Sequence, residues 1–152
     1  MKALIISNLE KRFLPGHHSM IDPLEELGYV VTWASNFSEY KDDLSCAPCK
    51  TVQIDFERNP FNLKNIKAYK QLMELLINIK YDVIHCNSPI GGVLGRLCGN
   101  KVKVPKIIYT AHGFHFYKGA PFINRTLFKW AEMCMAHYTD AIITINQEDY
   151  EA

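Results

Sequence analysis

Val83-Ile84-His85-Cys86, then Asn87-Ser88-Pro89, then Ile90 through Gly99, then Lys106-Ile107-Ile108-Tyr109-Thr110: the fold is decided in this stretch. The first and last runs are short, apolar and rich in Val, Ile and Tyr. Near-continuous apolar runs of this length are what strands show when both faces of their sheet are covered. The segment between them has helical length and opens on Gly91-Gly92. A strand, a helix and a second strand in this order form a βαβ unit, whose two strands run parallel.

The same alternation extends in both directions. Further strands are expected at Ala3 to Ser7, Tyr29 to Ala34, Thr51 to Ile54 and Ala141 to Ile145. Met20, Ile21, Leu24 and Leu27 form a helical stripe closed by Gly28, placed where a left-handed residue ends a helix. From Asn62 to Lys80, Ile66, Tyr69, Leu72, Met73, Leu76 and Ile79 recur at helical spacing, with Lys64, Lys67, Lys70 and Glu74 turned to solvent. A last long helix is expected from Phe122 to His137. After the final strand, Asn146 is a helix cap and Asp149 stands in the favourable first turn. That helix is cut about one turn in, at Ala152, so the natural chain is expected to continue. The expected fold is therefore α/β: one domain over residues 1–152, a Rossmann-like, mostly parallel sheet with helices on both faces.

Composition removes several function classes. The 152 residues are 48% hydrophobic and 22% charged, with a net charge of +1, which offers no electrostatic grip on nucleic acid. The opening apolar run, Ala3 to Ile6, is shorter than the roughly 7 to 15 residues of a signal-peptide core. No run approaches the roughly 20 residues that span a bilayer, so a cytoplasmic protein is expected. The five cysteines are scattered and odd in number, against a disulfide framework. Cys86, Cys98 and Cys134 fall in apolar patterns and are expected in the core. Cys46 and Cys49 have metal or redox spacing without a matching second pair, so no metal is expected there.

In an open parallel sheet, ligands bind beyond the carboxyl ends of the strands. That rule selects Ser7, Asn8 and Pro15-Gly16-His17-His18 after the first strand, His85, Asn87, Ser88 and Gly91-Gly92 at the fourth, and His112, Gly113, Phe114 and His115 after the fifth. Several histidines beside glycines at one edge favour a polar ligand. Gly91-Gly92 admits two readings, an anion facing free backbone N–H groups at a helix start or a tight turn that packs helix on strand. It lacks the patterns of a dinucleotide or ATP site. His112 and His115 have no neighbouring carboxylate, so metal is not expected. Residues 114–130 mix aromatic and basic types, the composition of a membrane or lipid-acceptor surface as well as of ordinary helix packing.

Taken together, Tyr81-Asp82-Val83-Ile84-His85-Cys86-Asn87-Ser88-Pro89, the run Tyr109-Thr110-Ala111-His112-Gly113-Phe114-His115-Phe116-Tyr117-Lys118-Gly119, and Thr144-Ile145-Asn146-Gln147-Glu148-Asp149-Tyr150 resemble the N-terminal domain of glycosyltransferase family 4, of GT-B fold, in bacterial capsular and exopolysaccharide enzymes. The resemblance implies a retaining enzyme that moves a sugar from a nucleotide-diphosphate donor to a saccharide or lipid-linked acceptor, with no cofactor besides that donor. It also implies a second, C-terminal domain for most of the nucleotide, absent from this chain. Carried over by position, His112 faces the transferred sugar as the catalytic candidate. Gly16 lies in the loop approaching the donor phosphates, and His17, Asn87, Ser88, Gly113, Phe114 and His115 are the substrate-binding candidates. Two departures stand out: Asn87 replaces a second histidine of many relatives, and the first loop offers Pro15-Gly16 in place of a Gly-Gly pair. A stand-alone acceptor- or membrane-binding subunit of a split glycosyltransferase is the alternative. A receiver domain is excluded, since Ser7-Asn8 and Asp55-Phe56-Glu57 occupy the places its acidic pocket and phosphorylated aspartate need.

Overall fold

The computed structural model describes residues 1–13, 15–113 and 122–151. Its elements follow the expected order: β1 (Lys2–Leu9), α1 (Pro15–Glu26), β2 (Val30–Asn36), a short 3₁₀ turn (Leu44–Cys46), β3 (Lys50–Gln53), α2 (Lys64–Asn78), β4 (Val83–Cys86), α3 (Pro89–Lys101), β5 (Lys106–Ala111), α4 (Phe122–Ala136), β6 (Ala141–Thr144) and α5 (Gln147–Glu151). The strands form one six-stranded sheet of order β3-β2-β1-β4-β5-β6, and every pairing is parallel. The order reverses between β1 and β4, which creates a crevice at their carboxyl ends.

Alternation along the strands sends side chains to two apolar layers. Leu4, Ile6, Ile84, Cys86, Tyr109 and Ala111 meet Ala68, Leu72 and Leu76 of α2 and Cys98 of α3 on one face. Ala3, Ile5, Val31, Trp33 and Val83 meet Ile21 of α1 on the other. Helices thus cover both faces, as expected.

The glycines of α3 set how closely it lies on the sheet. A Cβ at Gly95 would stand 2.5 Å from Cys86 Sγ, and one at Gly92 would stand 2.6 Å from the Tyr109 ring. Only hydrogen fits at either place. Gly28 has φ +81°, the left-handed conformation its place after α1 requires. At the other end of the chain, Asn146 Oδ1 accepts from the Asp149 N–H at 2.8 Å, so the cap read from the sequence is formed.

Four expectations are corrected. Ile66 was placed on the inner stripe of α2 but is 56% exposed; the buried face is Asn65, Ala68, Leu72 and Leu76. The reason is polar: the Asn65 side chain accepts from Glu57 N at 3.0 Å and donates to Asn59 O at 2.9 Å, which turns Asn65 inward and its neighbour out. Leu27 is 67% exposed, because α1 ends at Glu26 and the chain turns away at Gly28. Cys134 is only partly buried, on α4 at the margin of the domain, whereas Cys86 and Cys98 lie in the core. Finally, Pro15 begins α1, so Gly16, His17 and His18 belong to the helix and not to a loop before it. Proline suits a helix start, where its fixed φ is already helical and its missing N–H costs no bond.

Candidate functional site

The crevice is fastened by one side chain. Asn8, at the end of β1, accepts through Oδ1 from Ser88 Oγ at 2.8 Å and from Gly91 N at 2.7 Å. The Gly92 N–H bonds to Ser88 O at 2.5 Å. The two N–H groups that would have made Gly91-Gly92 an anion site are therefore committed inside the protein. Of the two readings of that pair, close packing holds and the phosphate cradle does not. Ser88 is drawn into the same knot, which leaves it a structural bond alongside any ligand contact.

Beside this knot the ends of β4 and β5 bear two cross-strand pairs. Parallel register sets His85 opposite Ile108. Each polar residue of β4 then reaches diagonally to the β5 residue two positions further on. His85 Nε2 lies 2.7 Å from Thr110 Oγ1, and His112 Nε2 donates to Asn87 Oδ1 at 2.5 Å. The inner pair is the structural one: burial holds the pKa of His85 below its ordinary value and His112 pushes the same way, so His85 is neutral near pH 7. The outer pair faces solvent at the mouth of the crevice, with His112 exposed and Asn87 half-buried. With Nε2–H committed to Asn87, the other ring nitrogen of His112 is left for a ligand, accepting from a hydroxyl when the ring is neutral and donating when it is protonated. Gly113 follows at φ +123°, a backbone conformation that favours glycine, and among the described residues nothing stands where a Cβ would be.

The first-strand loop is built differently. His17 lies 3.1 Å from Glu10 Oε2, and both side chains are largely buried, at 16% and 12% exposure. Its ring packs edge-on against Phe13 and Trp33, at 5.4 and 5.2 Å between centroids. Ser7 Oγ donates to Glu10 Oε1 at 2.7 Å and accepts from Trp33 Nε1 at 2.8 Å. Glu10 is thereby engaged by both Ser7 and His17 in an aromatic nest under α1. Gly16 falls in the first turn of α1. The candidates Phe114 and His115 lie outside the described residues.

Asn8 and His85, selected by sequence as strand-end candidates, make bonds within the protein, as does Thr110, and Arg96 is absent from the sequence candidates. Arg96 is wholly buried in α3. Its Nε donates to Gly92 O at 2.9 Å, its two terminal nitrogens donate to Glu132 of α4 at 2.8 and 3.2 Å, and its guanidinium carbon lies 4.0 Å from the centroid of the Tyr109 ring. One charge therefore ties α3, α4 and β5 together. Its only sequence signal is an arginine set among the glycines of an otherwise apolar helix.

Sheet order, the crevice at the strand reversal and a polar edge of His, Asn and Ser together define an α/β domain of Rossmann-like type. Residues 5–146 match the model of the Glycosyl transferase 4-like family, and the chain belongs to that family. It is 36% identical over 154 residues to EpsD of Bacillus subtilis (strain 168), whose name is that of a glycosyltransferase; the match covers 98% of this chain and 39% of EpsD. It is 34% identical over 94 residues to the Escherichia coli UDP-Gal:alpha-D-GlcNAc-diphosphoundecaprenol alpha-1,3-galactosyltransferase, covering 62% of this chain and 24% of that protein. The chain thus spans about two fifths or less of these relatives. Among solved structures, a sucrose-phosphate synthase from Thermosynechococcus elongatus superposes with TM-score 0.68 at 14% identity, covering 99% of this chain and 79% of that one. MurG of Acinetobacter baumannii does so with TM-score 0.63 at 12% identity, covering 97% and 42%. At such identities these two attest the fold alone.

Proposed function

We propose that the full-length protein is a retaining glycosyltransferase that moves a sugar from a nucleotide-diphosphate donor to a saccharide or lipid-linked saccharide acceptor in capsular or exopolysaccharide assembly. This chain forms the acceptor-side wall of the cleft, and a C-terminal domain holds most of the nucleotide. The supporting observation is the exposed His112–Asn87 pair at the mouth of the strand-reversal crevice, 2.5 Å apart. A transferred sugar needs short, fixed polar contacts as positive charge develops at its reacting carbon, and two side chains on adjacent rigid strands supply them without reorganisation. Asn87 fixes the ring of His112, and His112 orients the donor sugar through its remaining nitrogen. Gly113 and Ser88 lie at the same edge, Phe114 and His115 follow in sequence as further substrate contacts of this reading, and the nucleotide-diphosphate sugar is the donor with no cofactor beside it. His17 and Gly16 serve this reading from the α1 side, where His17 shapes the loop through Glu10 more than it meets substrate.

One relative favours the acceptor class, since the Escherichia coli protein is named for a diphosphoundecaprenol acceptor, while EpsD is named for glycosyl transfer alone. No helix among the described residues is long and apolar enough to cross a membrane. In this reading the acceptor is met at the membrane surface, with the aromatic and basic composition of 114–130 as its sequence support and Trp130 of α4 65% exposed. The test is nucleotide release by the full-length protein with a donor panel and membrane-derived acceptor. His112→Ala is expected to lower kcat by about 10²-fold or more, the scale of losing one preorganised polar contact to developing charge. Unchanged turnover would remove His112 from the site, and robust transfer by residues 1–152 alone would overturn the two-domain reading.

A further inference from the structure

Asn8 uses only half of its side chain inside the protein. Its Oδ1 accepts from Ser88 Oγ at 2.8 Å and from Gly91 N at 2.7 Å. An N–H can only donate, so the atom turned to the start of α3 is the oxygen, and the amide nitrogen of the same planar group points the other way. Among the described residues Nδ2 has no hydrogen-bond partner. Nor is it shut in, since the one buried polar side-chain atom left without a partner among them is Tyr81 Oη. Two N–H donors therefore stand open at the carboxyl end of β1, beside the strand reversal.

Holding the helix does not need them. Ser88 occupies the N-cap position of α3, yet its own hydroxyl does not cap the helix. The oxygen that does so comes from 83 residues away. For that task alone an aspartate would serve, because its oxygens accept the same two bonds and negative charge is favoured at a helix start. What asparagine brings beyond the cap is the donor group.

The sheet fixes where that group stands. Ile6 is in register with Cys86, and Cys86 with Tyr109, while Asn87 N donates to Ile6 O at 2.8 Å. Asn8, Asn87 and His112 thus form a row across the carboxyl ends of β1, β4 and β5. Neighbouring strands lie about 4.8 Å apart, which sets β1 about 10 Å from β5. Asn8 is too distant to share an atom with His112 and is placed to meet a second group on the same substrates. Its orientation is set before a ligand arrives, so binding orders little that was free.

Charge selects the group it meets. The Gly91 and Gly92 N–H groups are already committed to Asn8 Oδ1 and Ser88 O. Past β1 comes a carboxylate, Glu10, and the next two cations, Lys11 and Arg12, are engaged by Glu39 and Asp42. A phosphate at this strand end would lack both the N–H cradle and the adjacent cation that bind it elsewhere. A neutral hydroxyl needs neither.

We propose that Asn8 Nδ2 donates to a hydroxyl oxygen of one of the two sugars in the transfer and so helps to decide which sugar is accepted. The inference rests on the glycosyl-transfer reading of this crevice and adds a specificity-determining contact to it.

The experiment measures transfer by the full-length protein with its active donor and acceptor, and with deoxy analogues of each sugar that lack one hydroxyl at a time, for wild type and Asn8→Asp. The aspartate keeps both bonds from α3, so its urea midpoint is expected to match the wild type, whereas Asn8→Leu loses them and unfolds at lower urea. A midpoint for Asn8→Asp as low as that of Asn8→Leu would refute the assignment of the amide. One analogue is expected to lose about fivefold in kcat/KM on the wild type and about thirtyfold on Asn8→Asp, because the hydroxyl then donates to a carboxylate and the charged hydrogen bond is the stronger. The series that contains it, donor or acceptor, identifies the sugar. Equal losses on both proteins for every analogue would overturn the proposal. So would a donor KM raised about a hundredfold by Asn8→Asp with no analogue singled out, since repulsion on that scale assigns Nδ2 to a phosphate. In either case wild-type transfer leaves the glycosyltransferase reading standing, whereas no transfer with any donor overturns that reading and this contact with it.

Discussion

Arg96 and Glu132 form a pair whose two halves are unequally buried, and that inequality can be measured. Arg96 has no exposed surface, whereas the Glu132 side chain retains 21%. A guanidinium cannot shed its proton, so Glu132→Leu leaves a permanent charge in the apolar layer with, among the described residues, Gly92 O and the Tyr109 ring as its remaining partners. Breaking a buried pair in this way costs about 3–5 kcal/mol. Arg96→Met is different. Methionine fills most of the vacated space, and the remaining carboxylate reaches water or takes up a proton, so the loss is about 1–3 kcal/mol, the penalty of a partly compensated polar group. The double variant removes the stranded charge and is expected to be more stable than Glu132→Leu alone, by a coupling of about 2 kcal/mol. Urea unfolding followed by tryptophan fluorescence reads all four proteins, and at a slope of about 1–3 kcal/mol per molar the two single variants separate by about 1 M in midpoint. If Glu132→Leu proves too unstable to purify, Glu132→Gln replaces it, because one carbonyl acceptor survives. The reasoning is refuted if Arg96→Met costs as much as the glutamate variant, or if the double variant gains nothing over it.

Two further outcomes follow from burial. Gly95→Ala places a methyl 2.5 Å from Cys86 Sγ and 2.9 Å from Ile6 Cδ1. Overpacking of about 1–3 kcal/mol is set against about 1 kcal/mol regained in helix propensity, so a net loss is expected, and adding Cys86→Ala should recover part of it in thermal or urea unfolding. For pH, His85 is protonated less readily folded than unfolded, so the unfolded chain takes up the extra proton as the solution is acidified. The stability tied to neutral His85 is complete above the unfolded value near 6.5 and drains away as pH falls from there through the lowered folded value. His85→Gln, which keeps a polar contact for Thr110, should flatten the fall in urea midpoint between pH 7.5 and 5.5, and an unchanged fall would assign it to other groups.

What the sequence made legible was whatever a strand or a helix end says locally. The runs at Val83–Cys86 and Lys106–Ala111 read as strands because both faces are covered and no polar alternation interrupts them. The Asn146 cap was readable because donor and acceptor lie three residues apart. Ile66 was misplaced by a single position because hydrophobic spacing carries no record of a buried polar residue. Asn65 takes the inner place through bonds to a loop, and one residue on a helix is about 100° of rotation.

The site divides along the same line. His17 and His112 look alike in sequence, each a histidine shortly after a strand and each beside a glycine. What separates them is tertiary. The first meets Glu10 and Phe13 of the preceding loop and Trp33 brought from β2, while the second lies past the end of β5 against the amide of Asn87. Asn8 and Ser88 lie 80 residues apart and Arg96 and Glu132 lie 36 apart, so their pairings are set by packing rather than by spacing along the chain. The Asn87–His112 pair stands between these extremes. Once adjacent parallel strands are granted, two side chains just past their ends must face the same crevice, so the neighbourhood followed from the strand reading alone. That Asn87 Oδ1 is the acceptor gives His112 a partner that carries no charge. An uncharged acceptor fixes the ring by direction, with no ion-pair attraction that added salt would screen.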